Sequence, residues 1–162
     1  MTCLRAFLPR ILFLSLLSLS TSAHAGDVGG NVRAGAGVVR VTSGGGQRSL
    51  AAGVVEAGAR YKDTIFSLHS FMPLAHLGEG ATEIGATLGY RITLLKIVYL
   101  TPQIGLALTK PTATSARALT IPAAVQTDVG FGSHLSAGLR PVVSVGKNTK
   151  LAGLLVTVGY SF

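Results

Sequence analysis

Cysteine is all but absent. Cys3 is the only one, and it lies in a segment that reads as a removable leader, so neither disulfides nor cysteine-type zinc sites can hold the rest of the chain. Tryptophan is missing altogether, and charged residues make up only 12% of the chain. Past the leader there is no apolar run of the roughly 18 residues that a membrane-spanning helix requires. Yet 48% of the chain is hydrophobic. High apolar content without a helical span leaves two readings, a buried β core or a barrel wall turned toward lipid.

The leader is legible from its parts. Arg5 and Arg10 give a positive start, 11–19 is a short apolar run, and Ala23-His24-Ala25 supplies the small-x-small pattern of a signal-peptidase site. Cleavage is expected after Ala25, making 1–25 a signal peptide and leaving 162 − 25 = 137 residues, one domain over 26–162. The alternative is an uncleaved anchor. Cys3 lacks the small and aliphatic residues before it that a lipoprotein signal carries. Two of the 14 basic residues leave with the leader, so 12 face 6 acidic ones, a net charge of +6. In an exported protein that balance points to anionic lipid headgroups rather than nucleic acid.

What the chain has in abundance is alternation, the mark of a strand whose successive side chains face opposite sides. At the C-terminal end Ala152, Leu154, Val156, Val158, Tyr160 and Phe162 share one face, and Gly153, Leu155, Thr157, Gly159 and Ser161 the other. Upstream, 129–145 reads as one long alternating stretch, with Phe131, Leu135, Leu139 and Val143 on the apolar face. Strands are also expected over 83–92, 98–108 and 119–126, and less sharply over 30–41, 48–61 and 64–77. That makes eight strands, and no helical period competes with them.

Turn-rich breaks at 43–47, 78–80, 110–115 and 146–149 separate several of these segments. With both termini on the periplasmic side, these four connections face outward. The other three, near 61–63, 93–96 and 127–130, are tight and face inward. About 17 residues per strand and connection suits membrane strands of about 9–11 residues. The minority face carries Arg33, Glu56, Arg60, Glu83, Arg91, His134 and Arg140 among Gly, Ser and Thr. Such residues fit a narrow barrel interior, where Arg–Glu pairs fill the space. On a soluble periplasmic β protein they would form the solvated face.

The final stretch Val156-Thr157-Val158-Gly159-Tyr160-Ser161-Phe162 resembles the terminal strand of bacterial outer-membrane proteins. The resemblance implies that Phe162 and Tyr160 form a signal for the barrel-insertion machinery. Gly89-Tyr90-Arg91-Ile92, followed by Tyr99-Leu100-Thr101-Pro102, also looks like a hairpin of these barrels. The chain is similar to the eight-stranded OmpA transmembrane and OmpX type. That implies an all-β, antiparallel, up-and-down transmembrane barrel, monomeric, in the bacterial outer membrane. It departs from that type by short outer loops and few girdle aromatics.

Several residues invite sharper readings. His134 and Ser136 stand two apart, as a base and a nucleophilic hydroxyl would, and resemble the His-x-Ser of the outer-membrane lipid A deacylase. Ala137 stands where that family has Asn, and no acidic residue follows Asp128 to orient the base. The preferred expectation is therefore a non-enzymatic structural or surface protein. Its lumen would be filled by an ion-pair network of Arg33, Glu56, Arg60, Glu83, Arg91 and Arg140, with a small passive channel as the alternative. Arg40, Arg48, Lys110, Arg117, Lys147 and Lys150 fall near the outer rim, where lipopolysaccharide phosphates lie. His69 and His76 are read as isolated polar residues, so no metal is expected, and no cofactor. Gly44-Gly45-Gly46 lacks the helix and Lys-Ser/Thr of a phosphate loop and reads as a hairpin tip.

Overall fold

The computed structural model describes residues 28–44, 46–74, 81–112 and 114–162. The expected signal peptide, the break at 78–80 and His76 lie outside the described residues. The rest is all β: β1 (Val28–Ser43), β2 (Gly46–Tyr61), β3 (Thr64–Pro73), β4 (Thr82–Tyr90), β5 (Ile92–Leu95), β6 (Val98–Lys110), β7 (Ala118–Phe131), β8 (Leu135–Gly146) and β9 (Thr149–Ser161). Every pairing is antiparallel. β1 joins both β2 and β9, and β4 joins β6, which closes the sheet on itself.

The nine strands make eight staves, because β5 only prolongs the line of β4 beyond a break at Arg91. Pairing carries the wall from Gly30 through Ala59, Phe66, Leu88, Ile104, Ala123, Val143 and Ala152 back to β1 at Arg40. The circuit returns ten residues further along the strand. This stagger accompanies strands tilted by about 35–45° and, with eight strands, an interior just wide enough for side chains to fill. Two gaps in the ladder, between Ile104 and Ala107 on β6 and between Ala124 and Thr127 on β7, face Pro122 and Pro141. Proline has no N–H to donate there.

Val28 and Phe162, the described ends, lie at one end of the barrel, with the connections at 62–63, 96–97 and 132–134. The strand ends Ser43 and Gly46, Pro73 and Thr82, Lys110 and Ala118, and Gly146 and Thr149 lie at the far end. The expected strand 129–145 is corrected by this arrangement. It is two strands folded back on each other, with Phe131 opposite Leu135 and the turn at 132–134 rather than 127–130. Gly132 supplies the left-handed backbone that turn needs, at φ 68°. The expected strand over 64–77 ends at Pro73, and that over 83–92 breaks at Arg91.

The two faces of the wall are sorted inside-out. Among the described residues thirty-one large apolar side chains are exposed, whereas only twelve apolar residues are buried. Leu106, Ile104, Leu119 and Val156 are each about 60% exposed, while Arg140 is 1% and Glu83 0% exposed. A wall that buries its charges and bares its leucines is stable only in an apolar medium, where a closed barrel leaves no backbone group unpaired.

Candidate functional site

Alternation aims Arg33 (β1) and Glu56 (β2) inward, and register sets them directly opposite each other. Arg33 Nη1 donates to Glu56 Oε1 at 3.2 Å, and its Nη2 donates to Asp128 Oδ2 at 2.6 Å. Arg140, reaching in from β8, donates to Glu56 Oε2 and, at 3.0 Å, to Gln103 Oε1 of β6. Gln126 Nε2 donates to Asp128 Oδ1 and to Thr157 Oγ1 of β9, both at 2.8 Å. Two cations thus meet two carboxylates in a group drawn from six staves. Burying each ion costs several kcal/mol, and mutual neutrality with these hydrogen bonds offsets that cost.

Glu83 stands apart from the arginines, nearer the far end. His69 Nε2 donates to its Oε1 at 3.2 Å, as does Ser144 Oγ at 3.0 Å; Thr109 Oγ1 donates to Oε2 at 2.6 Å. Thr120 Oγ1 lies 2.7 Å from Thr109 Oγ1 and completes the group. Beside it, filling the far half of the interior, is the core: Val39, Val41, Val54, Phe71, Ala124, Val142, Leu151 and Leu155. A lumen lined this way holds aliphatic side chains where the alternation pattern placed small and polar ones.

The expected constellation is therefore divided. Arg33, Glu56 and Arg140 come together. Glu83 belongs to the second cluster, with His69, which is not isolated. Arg60 and Arg91 lie at the termini-side mouth, and among the described residues neither makes an ion pair. Arg91 instead lies over the Tyr99 ring, 4.4 Å from its centroid. Asp128, Gln103, Gln126 and Thr157 were missed. Carrying the alternation of Thr120, Ala124 and Gln126 two residues further would have turned Asp128 inward.

His134 sits in the exposed 132–134 turn, not on the inner wall. Its Nδ1 donates to the Ser161 carbonyl at 2.8 Å, and its ring stacks on Tyr160 with centroids 5.4 Å apart. Ser136 is buried just inside the wall. Both border one small cavity, yet no hydrogen bond joins them and, among the described residues, no carboxylate orients the imidazole.

Arg40, Arg48, Arg117, Lys147 and Lys150 are exposed at the far end, and Lys110 is half-buried there. Arg40 and Lys150 are diagonal neighbours on the outer face of β1 and β9, and Arg48 reaches the Pro111 carbonyl at 2.8 Å. Among the described residues the one exposed carboxylate, Asp63, lies at the opposite end. The exposed aromatics are at that opposite end too: Tyr61, Phe66, Tyr90, Phe131, Tyr160 and Phe162. The far rim thus carries cations with no exposed carboxylate among the described residues, whereas the opposite rim carries these aromatics together with Lys62, Lys96 and Asp63.

The fold has known counterparts. Neisserial surface protein A is similar with a TM-score of 0.65, at 15% identity over 82% of this chain and 97% of that one. The attachment invasion locus protein Ail of Yersinia pestis, in complex with the heparin analogue sucrose octasulfate, gives a TM-score of 0.63. It is 12% identical over 85% of this chain and all of that one. Another Ail structure gives 0.59. No protein-family model and no curated protein matches the chain. At these identities the likeness is one of fold: this chain is a closed, eight-stave antiparallel barrel of the kind built by small outer-membrane proteins.

Proposed function

We propose that the protein is a monomeric integral barrel of the bacterial outer membrane, with a structural or surface role and no catalytic one. The observation that carries this reading is the inverted wall, with leucines, isoleucines and valines exposed outside and Arg33, Glu56, Asp128 and Arg140 buried within. The two unlike rims support an orientation. Aromatic side chains favour a phospholipid interface, and a carboxylate-poor cationic rim suits the phosphates of lipopolysaccharide. The termini then face the periplasm, and Arg40, Arg48, Lys110, Arg117, Lys147 and Lys150 face the outer leaflet. The polyanion held in the Ail complex is of the same charge class.

The interior supports a filled barrel rather than a channel. The neutral arginine–carboxylate network and the apolar cluster of Val39, Val54, Phe71, Val142 and Leu155 occupy the axis in succession. His134 lies in the exposed 132–134 turn and makes no hydrogen bond to Ser136, so the base a hydrolase would need is not seated on that hydroxyl. Tyr160 and Phe162 lie exposed on the outer face with ring centroids 6.4 Å apart. That leaves both available to an insertion machine as a signal.

The test is reconstitution. The refolded protein should co-fractionate with outer membranes, shift its gel migration on heating, and give no conductance steps in planar bilayers. Recovery in the soluble periplasmic fraction would end the membrane reading, and reproducible ion steps would end the filled-lumen reading.

A further inference from the structure

At the termini-side mouth the wall encloses a cavity of about 230 Å³, bordered by Arg60, Arg91, Tyr99 and Ser136. Its chemistry is unbalanced. Deeper in, Arg33 and Arg140 are matched by Glu56 and Asp128. Arg60 and Arg91 add two positive charges, and among the described residues neither is ion-paired to a carboxylate. Guanidinium groups do not deprotonate in proteins, so that charge persists. Arg91 is half-buried and repelled by Arg60 and Arg33, with Asp128 as the counterweight.

The hydrogen-bond ledger leans the same way. The Nε atoms of Arg91 and of Arg33 are both buried donors without an acceptor. Gly159 lets Arg33 and Ser136 lie close together, because a Cβ there would stand 2.9 Å from both the Ser136 hydroxyl and the Arg33 side chain. Tyr99 holds the plane of Arg91 from one side. Water would supply acceptors but not the missing negative charge. An oxyanion supplies both, and a guanidinium fork matches its geometry.

We propose that this mouth is a binding site for a phosphate group, gripped by Arg60 and Arg91 and completed by Ser136. The cavity falls below the roughly 300–1,000 Å³ of sites for drug-sized ligands, so it takes the phosphate end of a ligand and not a whole nucleotide. The ion-pair network closes the route from above, so entry is from the termini side. A free phosphate ester and a phospholipid headgroup present the same chemistry there.

The test uses the full barrel in zwitterionic detergent, titrated calorimetrically with inorganic phosphate, with pyrophosphate, and with micelles containing phosphatidylglycerol or phosphatidylcholine alone. Saturable binding is expected, weakened about tenfold by Arg91→Gln and by Arg60→Gln, the loss of one charge-assisted contact. The far-rim Lys147→Gln should leave it unchanged. Binding of the inorganic anions identifies a free ester as the source; binding of phosphatidylglycerol alone identifies a headgroup. Heat-shifted gel migration reports that each variant is folded, and should Arg91→Gln not fold, half-exposed Arg60→Gln decides. The proposal is overturned if none of the phosphate ligands saturates, or if Lys147→Gln weakens binding as much as the mouth variants.

Discussion

Substituting Glu56→Gln removes one negative charge from the interior without changing the shape of the side chain. Glu56 and both arginines bonded to it are at most 2% exposed, so water cannot take over what is lost. Two guanidiniums would then share the single carboxylate of Asp128. One of them, Arg140, keeps only Gln103 among its present partners. Breaking a buried pair from one side costs about 3–5 kcal/mol, and because the amide fills the same volume no cavity cost is added. Adding Arg140→Met should recover part of the loss, since Arg33 and Asp128 remain as a neutral pair; the two changes should couple by about 1–3 kcal/mol. Urea unfolding from phosphatidylcholine vesicles, followed by circular dichroism and heat-shifted migration, measures both quantities. A cost below about 1 kcal/mol for Glu56→Gln, with no coupling to Arg140, would mean that Glu56 is hydrated and that the network does not exist as described.

The remaining predictions address the wall, the far rim and the catalytic alternative. Leu106→Arg, at the middle of the outer face, should destabilise the vesicle-folded barrel by about 2–4 kcal/mol, whereas Leu94→Arg near the termini-side rim should cost about 0–1 kcal/mol. Equal costs at both depths would contradict a lipid-facing wall. Arg40→Ser combined with Lys150→Ser should reduce the rise in unfolding temperature on adding lipopolysaccharide. The same pair should leave stability in phosphatidylcholine unaltered. Ser136→Ala should leave the lipid A acylation pattern of expressing cells as it is with the wild-type protein; disappearance of a deacylated species would revive the hydrolase reading.

Much of the architecture is written in the parity of apolar residues, and the misreading at 129–145 shows where parity is blind. The turn at 132–134 holds three residues, so Phe131 and Leu135 are four apart and the alternation runs through it unbroken. The turn at 62–63 holds two, and the shift of phase between Tyr61 and Thr64 makes it visible. Misplacing the first turn also put Asp128 in a loop, which is why the second carboxylate of the network went unseen. Nor could alternation reveal the apolar half of the lumen. Near the far end of β1 the run Val38, Val39, Arg40, Val41 has valines on both faces, because one faces outward and two pack inside. Arg33, Glu56 and Arg140 share the inner face by parity alone. Which carboxylate each arginine meets depends on the ten-residue stagger, a property of the closed wall that no single segment encodes.

Because the chain has no tryptophan of its own, one introduced indole reads its surroundings without background. Leu106→Trp places it on the exposed outer face, and Phe71→Trp on the buried inner one. In vesicles of phosphatidylcholine brominated along the acyl chains, the L106W fluorescence should be strongly quenched and that of F71W spared. Quenching of F71W with L106W untouched would mean the wall is turned the other way.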